Sequence, residues 1–591
     1  MKKLRFEING VNMEMGSESM SLQLKNPMFE DIGSHSLPIK IPKTPNNDSA
    51  IKGFLSGALP SACRYPAKLF FGARQFVGEF VQTKSTRYLS EGYFTTGIAT
   101  FRDIVSNKML TDIDYTEEII GPVDGYFPTK LNEAAAGSYP TYNYTCFPLR
   151  TPEFYNPYTV EYQTMMNPWS YKQGDPSYQG FMINYVQRYA PSFYLCFVIS
   201  KVFETYGYVI ESNAFLDDAE LKTLVVTNFN SGYMAIATRQ YDLKFSDAMP
   251  HVPIGEFISG LERLFNVTFF INDGSKTVVI KKNGAIVKSA SSKKLTLVDR
   301  ELKQEDPIDG FSLNYTMDPD DSFSSVKTIE GLVIGITVDN KADLDAYLAG
   351  SYPNQLAFIS NNDLYYISTR NDQEPTGWVW AEYTRDYFGY TEGAGDHEIS
   401  TDVNTILTDD DVITDLYTEG GGTESAILPK TNVSCINEYG WQQFKSFNTL
   451  RLLFYRGIVP SGGVLSGIGS VGEPGTQECD YPLASPDVYR ANQTVDHKFG
   501  RIKIPAANQA LKWGGPYGLY LTHWKDYLYW FLNIRRAATD YYNLTLEELL
   551  GINFWEKYQA GDQSVLFRTI NIDLDFERDS IRVGECEVYL S

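Results

Sequence analysis

The residues best suited to chemistry in this chain are few, and their spacing argues against the reactions they suggest. Gly467-Ile468-Gly469-Ser470-Val471-Gly472 spells a literal G-x-G-x-x-G. A dinucleotide loop of that pattern must open a helix, whose N-terminus receives the pyrophosphate. Glu473-Pro474-Gly475 follows instead and cannot open that helix in register, so the segment reads as a flexible loop. The histidines His35, His251, His397, His497 and His523 form no H-x-x-x-H or H-E-x-x-H pair, and each reads as an ordinary surface or loop histidine. No G-x-S-x-G elbow marks a nucleophilic serine.

Carboxylates cluster at Asp318-Pro319-Asp320-Asp321 and at Asp409-Asp410-Asp411. The first cluster has the residue types for calcium but lacks the EF-hand spacing, so both read as solvated loops. A glycosidase needs two carboxylates roughly 5–10 Å apart, and nothing in the sequence singles out a pair. Lys281-Lys282 and Lys293-Lys294 lie in and after an expected hairpin and read as solvated strand faces, not as a nucleic-acid platform. The chain therefore offers no catalytic, cofactor-binding or metal-ligating residue, and no cofactor is expected.

The patterned segments are clearer than the chemistry. Leu4, Phe6 and Ile8 alternate with Arg5, Glu7 and Asn9, which predicts an amphipathic strand at the start. Ser36 to Pro42 alternates but carries prolines, which suits an edge strand or an extended arm. Phe76–Val81 and Tyr93–Phe101 read as neighbouring strands, followed by a short helix with Ile104, Val105 and Leu110 as its apolar face. Pro191 precedes Tyr194, Phe197, Val198, Val202 and Phe203 at helical spacing, and Gly207 ends that helix. A second helix begins near Ile254, then Thr268–Ile271 and Thr277–Ile280 flank an Asn272-Asp273-Gly274 turn as a hairpin. Leu356–Ile359, Leu364–Ile367 and Trp378–Trp380 read as three further strands, and 391–425 as loop. Tyr520 to Arg536 predicts an aromatic helix, Thr545-Leu546-Glu547-Glu548 a capping box, and Ile570 to Leu590 the closing strands.

Composition narrows the class. The chain has 591 residues with 73 acidic against 51 basic side chains, a formal charge of −22. Hydrophobic content of 43 % with 14 % aromatics excludes disorder, because that much apolar surface offsets chain entropy. The length exceeds one core, so several domains are expected. The acidic balance argues against a basic nucleic-acid footprint. Six scattered cysteines imply reduced thiols rather than a disulfide scaffold. The N-terminus has no apolar run behind its charges, so a secretory signal is not expected. The longest apolar stretch, Phe193–Ile199, is broken by Lys201 and Glu204, well short of the roughly 20 residues a membrane span needs. A soluble protein made in the cytoplasm is the expectation.

The fold expected is α+β, mainly β, and multidomain. Its spans are a first β domain at 1–110, a Tyr/Pro-rich insertion at 111–190, an α+β domain at 191–320 and an inserted β module at 321–430. A C-terminal α+β region at 431–591 follows, with a Gly-rich excursion near 459–486.

Several of these segments resemble a known group of proteins. Arg5 to Asn9, followed by Ser36-Leu37-Pro38-Ile39-Lys40-Ile41-Pro42-Lys43-Thr44-Pro45-Asn46-Asn47, resembles the start of tail proteins of phages and prophages of gut anaerobes. Phe203-Glu204-Thr205-Tyr206-Gly207-Tyr208 resembles that family's helix ending in Gly-Tyr, and Pro253 to Ile271 its next helix and hairpin. Ile570 to Leu590 is similar in style to its last strands. The likeness is to baseplate hub or tail-tip proteins and covers about half of the chain.

The resemblance implies two small hub-type β-barrel or α+β domains per chain, which in a homotrimer form a pseudo-sixfold ring continuing the tail tube. It also implies a non-enzymatic virion component and, as neighbours, the tube, distal tail, fibre or spike proteins. DNA would pass through without specific binding, along a channel that a share of the carboxylates makes acidic. A nozzle or adaptor ring of a short tail is the alternative within that class. A glycan-binding or glycan-cleaving receptor-recognition protein is the alternative from another class.

Overall fold

The computed structural model describes residues 4–30, 34–51, 63–72, 74–96, 98–115, 118–122, 126–150, 155–156, 161–162, 165–167, 169–170, 180–181, 189–229, 233–235, 240–306, 308–316, 318, 321, 334–338, 356–359, 364–370, 378–384, 389–395, 397–414, 423–431, 448–460, 480–491, 501–515 and 517–590. The Gly467–Gly472 loop, His497, Cys435 and Cys479 lie outside them.

The protein is mainly β, organised around a curled, half-barrel sheet. This sheet takes strands from both termini. On the N-terminal side Leu4–Ile8, Cys63–Phe71, Arg74–Ser85 and Leu89–Thr96 run antiparallel in that order, and Ile39–Pro42 lies against Leu89–Thr96 as an edge branch. Leu4, Phe6 and Ile8 are buried while Arg5 and Glu7 are half-buried, as the alternation requires. Phe6 meets Phe80 and Phe94 edge-to-face at 6.3 and 5.7 Å, so the inner face is filled by rings.

The strand Gln563–Asp575 joins this unit to a second one. Its Thr569–Asp575 half pairs with Ser19–Lys25, and its Gln563–Val565 end pairs with Lys557–Ala560. On its other side lies Ser580–Leu590, followed by Arg536–Tyr542 and Leu297–Leu302. Ser291–Leu295 pairs with Lys557–Ala560, so the two branches meet where the chain passes through Thr296. The sheet thus bends back on itself around Leu295, Tyr542, Tyr558, Phe567 and Val588. At the other end the Leu4 amide donates to Asp579 Oδ1 at 2.8 Å, returning the first strand to the Asp575–Ser580 turn.

A second core lies between the ends. The helix Leu195–Thr205 buries Leu195, Cys196, Phe197, Val198, Ile199, Val202 and Phe203. Its first turn begins four residues after Pro191, because Ser192–Tyr194 is a strand paired to Leu224–Val226. Pairing with that central sheet, which Arg451–Pro460 continues, outcompetes the helical start that the proline suggests. The helix Ile254–Phe265 ends at Asn266 in a left-handed conformation (φ 48°), and the hairpin Val267–Asn272/Thr277–Lys282 follows as expected, with Phe269 opposite Ile280. Val209–Asn213 joins Thr277–Lys282 in parallel, making an α+β unit.

The 391–425 span departs from its loop expectation. It contains strands Gly389–Gly393, His397–Thr401, Asn404–Thr405, Thr408–Thr414 and Thr423–Pro429 within or across its limits. Asp409-Asp410-Asp411 belongs to one of them, opposite Ala426–Leu428. Strand pairing has overridden the low strand propensity of Asp and Gly. The aromatic helix is also shorter than expected: a π-helical turn at Tyr520–Trp524 leads into Lys525–Asn533, and Arg536 already begins a strand. Among the described residues no helix is long and apolar enough to cross a membrane.

Gly260 marks the closest approach between Ile254–Phe265 and the segment after His397–Thr401. A Cβ at that position would sit 2.6 Å from Val403 Cγ2, and the Gly260 carbonyl accepts from Thr401 Oγ1 at 3.0 Å. Gly260→Ala is therefore expected to lower stability by about 1–3 kcal/mol through overpacking, despite the ~1 kcal/mol that alanine gains in a helix. Adding Val403→Ala should return most of the loss in denaturant unfolding; a stabilised single variant would refute the contact.

Candidate functional site

A cleft of about 910 Å³ opens between the helix Ile254–Phe265, the helix Lys525–Asn533 and the C-terminal strands. Its walls carry rings, among them Phe29, Phe311 and Phe531, and a ladder of charges drawn from four separated parts of the chain. Arg568 donates through Nε to Glu30 Oε1 at 3.0 Å and lies 3.5 Å from Glu305 Oε1. Arg535 faces Glu305 Oε2 at 3.2 Å, and Lys25 faces Glu30 Oε2 at 3.7 Å. The Arg535 guanidinium carbon lies 3.4 Å from the centroid of Phe531 and 4.9 Å from that of Tyr589. The Tyr589 hydroxyl donates to Glu305 Oε1 at 3.4 Å. Burial raises the Tyr589 and Tyr527 hydroxyls above the ordinary phenol range, partly countered by the arginines, so both are neutral donors.

This geometry decides what the cleft can do. Both oxygens of Glu30 and both of Glu305 face a cation. Lys25 and Arg568 hold the Glu30 carboxylate, and Arg535 and Arg568 hold that of Glu305. The ladder ties the segment around Glu30, the stretch before Gly310–Tyr315, the end of the aromatic helix and the strand Gln563–Asp575 into one wall. Partly exposed pairs of this kind contribute little stability each, and their geometric role outweighs their energy.

The residues considered from sequence are dispersed. Asp318 and Asp321 are buried, not solvated. Asp318 makes a bidentate pair with Arg451, at 2.7 Å to Nε and 2.8 Å to Nη2, with both side chains fully buried. A carboxylate so engaged is not available to a calcium ion, and among the described residues no group of three or more His, Cys, Asp or Glu could hold a metal. The side chains of Asp409–Asp411 lie outside the described ones. Lys281 donates to Ser212 and Lys282 to Asp218 Oδ2 at 2.7 Å, so these two are structural rather than solvated. Lys293 and Lys294 are exposed on their strand, as expected. Cys146, Cys196 and Cys586 are buried free thiols, and Cys63 is half-buried and free.

His251 is exposed, with Nδ1 3.2 Å from Thr111 Oγ1, and His397 lies against the Phe311 ring at 5.1 Å on the cleft wall. His523 breaks the expectation of a surface histidine, being buried in the π-helical turn. Its Nε2 is 3.1 Å from Gln509 Oε1, and its Nδ1 is buried with no hydrogen-bond partner among the described residues. Burial first, then the positive charge of Lys282, lowers its pKa to about 3, against a smaller opposing effect of Asp218. The same locale holds buried Arg456, which pairs with Glu220 and donates to the carbonyls of Asp487 and Gln509 at 3.0 and 2.7 Å. The Glu220 carboxylate in turn accepts from the Asn508 and Gln509 amides.

Glu30, Glu305, Arg535 and Arg568 are not visible as a set in the sequence, because up to 538 residues separate them. The one local signal was Arg535-Arg536 directly after an aromatic helix, where a guanidinium meets a ring face. No protein-family model matches the chain, and no curated protein matches it.

Proposed function

We propose that this chain is a non-enzymatic structural protein of a phage tail, a baseplate hub or tail-tip ring component that continues the tail tube and lets DNA pass. The observation that carries the reading is the curled sheet. One continuous sheet, curled into a half-barrel, takes strands from Leu4–Thr96 and from Ser291–Leu302 with Arg536–Leu590, and the strand Gln563–Asp575 links the two sets. A curled sheet of this kind supports a subunit that packs with copies of itself around a shared axis. The path of this sheet ends at Leu297–Leu302, where Val298 and Leu302 are 67 % and 65 % exposed. These two exposed apolar side chains flank Asp299, Arg300 and Glu301 on the same strand, and a ring can close such a mixed edge against copies of itself through apolar contact and charge pairing. The cleft, whose carboxylates are held by arginines, supplies rigidity rather than a reaction.

Light scattering combined with negative-stain imaging tests the reading. The expected result is a closed assembly of three copies with an axial opening, weakened by Val298→Glu/Leu302→Glu. A strict monomer at high concentration, or an assembly indifferent to the double substitution, overturns it. A ring of more than six copies would instead favour the nozzle or adaptor alternative.

A further inference from the structure

We propose that a second, smaller pocket binds a neutral oligosaccharide, independently of the assembly proposed above. The pocket encloses about 480 Å³, within the roughly 300–1,000 Å³ usual for small-ligand sites. Segments far apart in sequence build it: residues around Lys25 and Pro27, the start of the strand Arg74–Ser85, the Asn272–Ser275 turn with Phe270 before it, and the loop Ile552–Trp555 after the short helix Leu546–Leu550. Gly274 lets turn and strand meet, since a Cβ there would lie 3.2 Å from the Gln75 carbonyl oxygen.

Two features of the lining select the ligand. The first is aromatic. Trp555 and Phe270 meet edge-to-face at 5.2 Å, and Phe76 and Phe554 add two further rings. Ring faces match the C–H faces of a pyranose, which is amphipathic in the same sense.

The second feature is neutral hydrogen-bonding capacity. Asn272 Oδ1 accepts from the Gly274 and Ser275 amides at 2.9 and 3.2 Å, which fixes the carboxamide and leaves Nδ2 unpartnered among the described residues. The Gln75 carboxamide, on an exposed strand position, likewise makes no hydrogen bond among them. Lys25 and Asp273 are the only charged lining side chains, and each faces an opposite charge, Glu30 at 3.7 Å and Lys276 at 3.6 Å. In a chain of net charge −22, a pocket without net charge suits a ligand without charge. The fixed Asn272 carboxamide and the free Gln75 carboxamide beside aromatic rings answer the hydroxyl pattern of a sugar.

Saturation-transfer NMR on the full chain, with cellotriose, maltotriose and N-acetylchitotriose as probes and the peptide Gly-Ser-Gly-Ser as control, tests the proposal. The expected result is transfer to ring protons of at least one trisaccharide. Trp555→Ala and Gln75→Ala should each weaken its binding by about tenfold or more in titration. Trp555 packs on Phe270, so Gln75→Ala, at an exposed position, decides the matter wherever the tryptophan variant does not fold. No transfer to any of the three sugars, transfer to the peptide alone, or binding unchanged in Gln75→Ala would overturn the assignment.

Discussion

Asp318→Ala is expected to cost about 3–5 kcal/mol of folding stability, among the largest losses any single side chain here produces. The pair it breaks is wholly enclosed: both Arg451 and Asp318 are fully buried, and two short hydrogen bonds join them. Removing the carboxylate leaves a buried guanidinium with the Thr449 carbonyl at 3.4 Å and the Phe229 ring at 5.4 Å beside it among the described residues. Neither neutralises the charge, and desolvation of an uncompensated ion is what makes the loss large. Arg451 opens the central strand Arg451–Pro460, so the damage reaches the sheet that organises the second core.

The pair is not expected to be worth that amount in itself. Asp318→Leu/Arg451→Met, which removes both charges and keeps apolar volume, should recover most of the loss, because two desolvation costs vanish with the attraction. Urea unfolding of wild type, single and double variants checks this. A single variant within about 1 kcal/mol of wild type would show that water reaches the guanidinium and that the burial argument is wrong.

Acidification should destabilise the fold through His523 well before the carboxylates titrate. The folded protein holds this imidazole neutral, with a pKa near 3 against 6.5 for an unperturbed histidine. The sign follows from proton uptake. Below pH 6.5 the unfolded chain binds a proton at this residue that the folded chain refuses, so stability falls with pH down to about 3 and levels off below it. At pH 5 the expected loss from this residue is about 2 kcal/mol.

The neighbouring Asp218 acts in a different window. Burial alone would raise it, but the Lys282 hydrogen bond and charge, with the Leu221 and Glu220 amides, hold it at about 2. Its contribution is full above about pH 4 and is lost as pH falls through 2, so the two effects separate experimentally. His523→Gln should flatten the stability profile between pH 6.5 and 4 while leaving the steeper fall at lower pH. A variant with the wild-type slope across that interval would mean that the histidine charges freely in the folded state.

Local pattern carried a large part of this fold. The strand at Leu4–Ile8, the helix from Ile254, the hairpin around Asn272-Asp273-Gly274, the Thr545–Glu548 capping box and the closing strands all stand where periodicity and turn chemistry put them. Each is specified by residues within about a dozen positions of one another, the range over which hydrophobic period and capping act. Two of the departures share one cause, whereas the expected strand Tyr93–Phe101 stops at Thr96 and gives way to the helix Ile98–Val105. The first residues after Pro191 became a strand, and Asp- and Gly-rich 391–425 formed five strands, because a neighbouring sheet supplied hydrogen bonds that local propensity could not anticipate.

The candidate sites were much less legible than the elements. Asp318 looked like a solvated acid until a residue 133 positions away neutralised it, and His523 looked like a surface histidine until Phe265 and Gln509 enclosed it. Burial of a polar side chain depends on what packs over it from elsewhere, and a linear sequence does not state that. What the sequence by itself determined was the inventory: a strongly acidic, aromatic-rich, mainly β chain, and the identity of several of its strands and helices. Only the tertiary structure decided which strands share a sheet, which charges are buried together and where clefts open, because those outcomes depend on contacts between segments hundreds of residues apart.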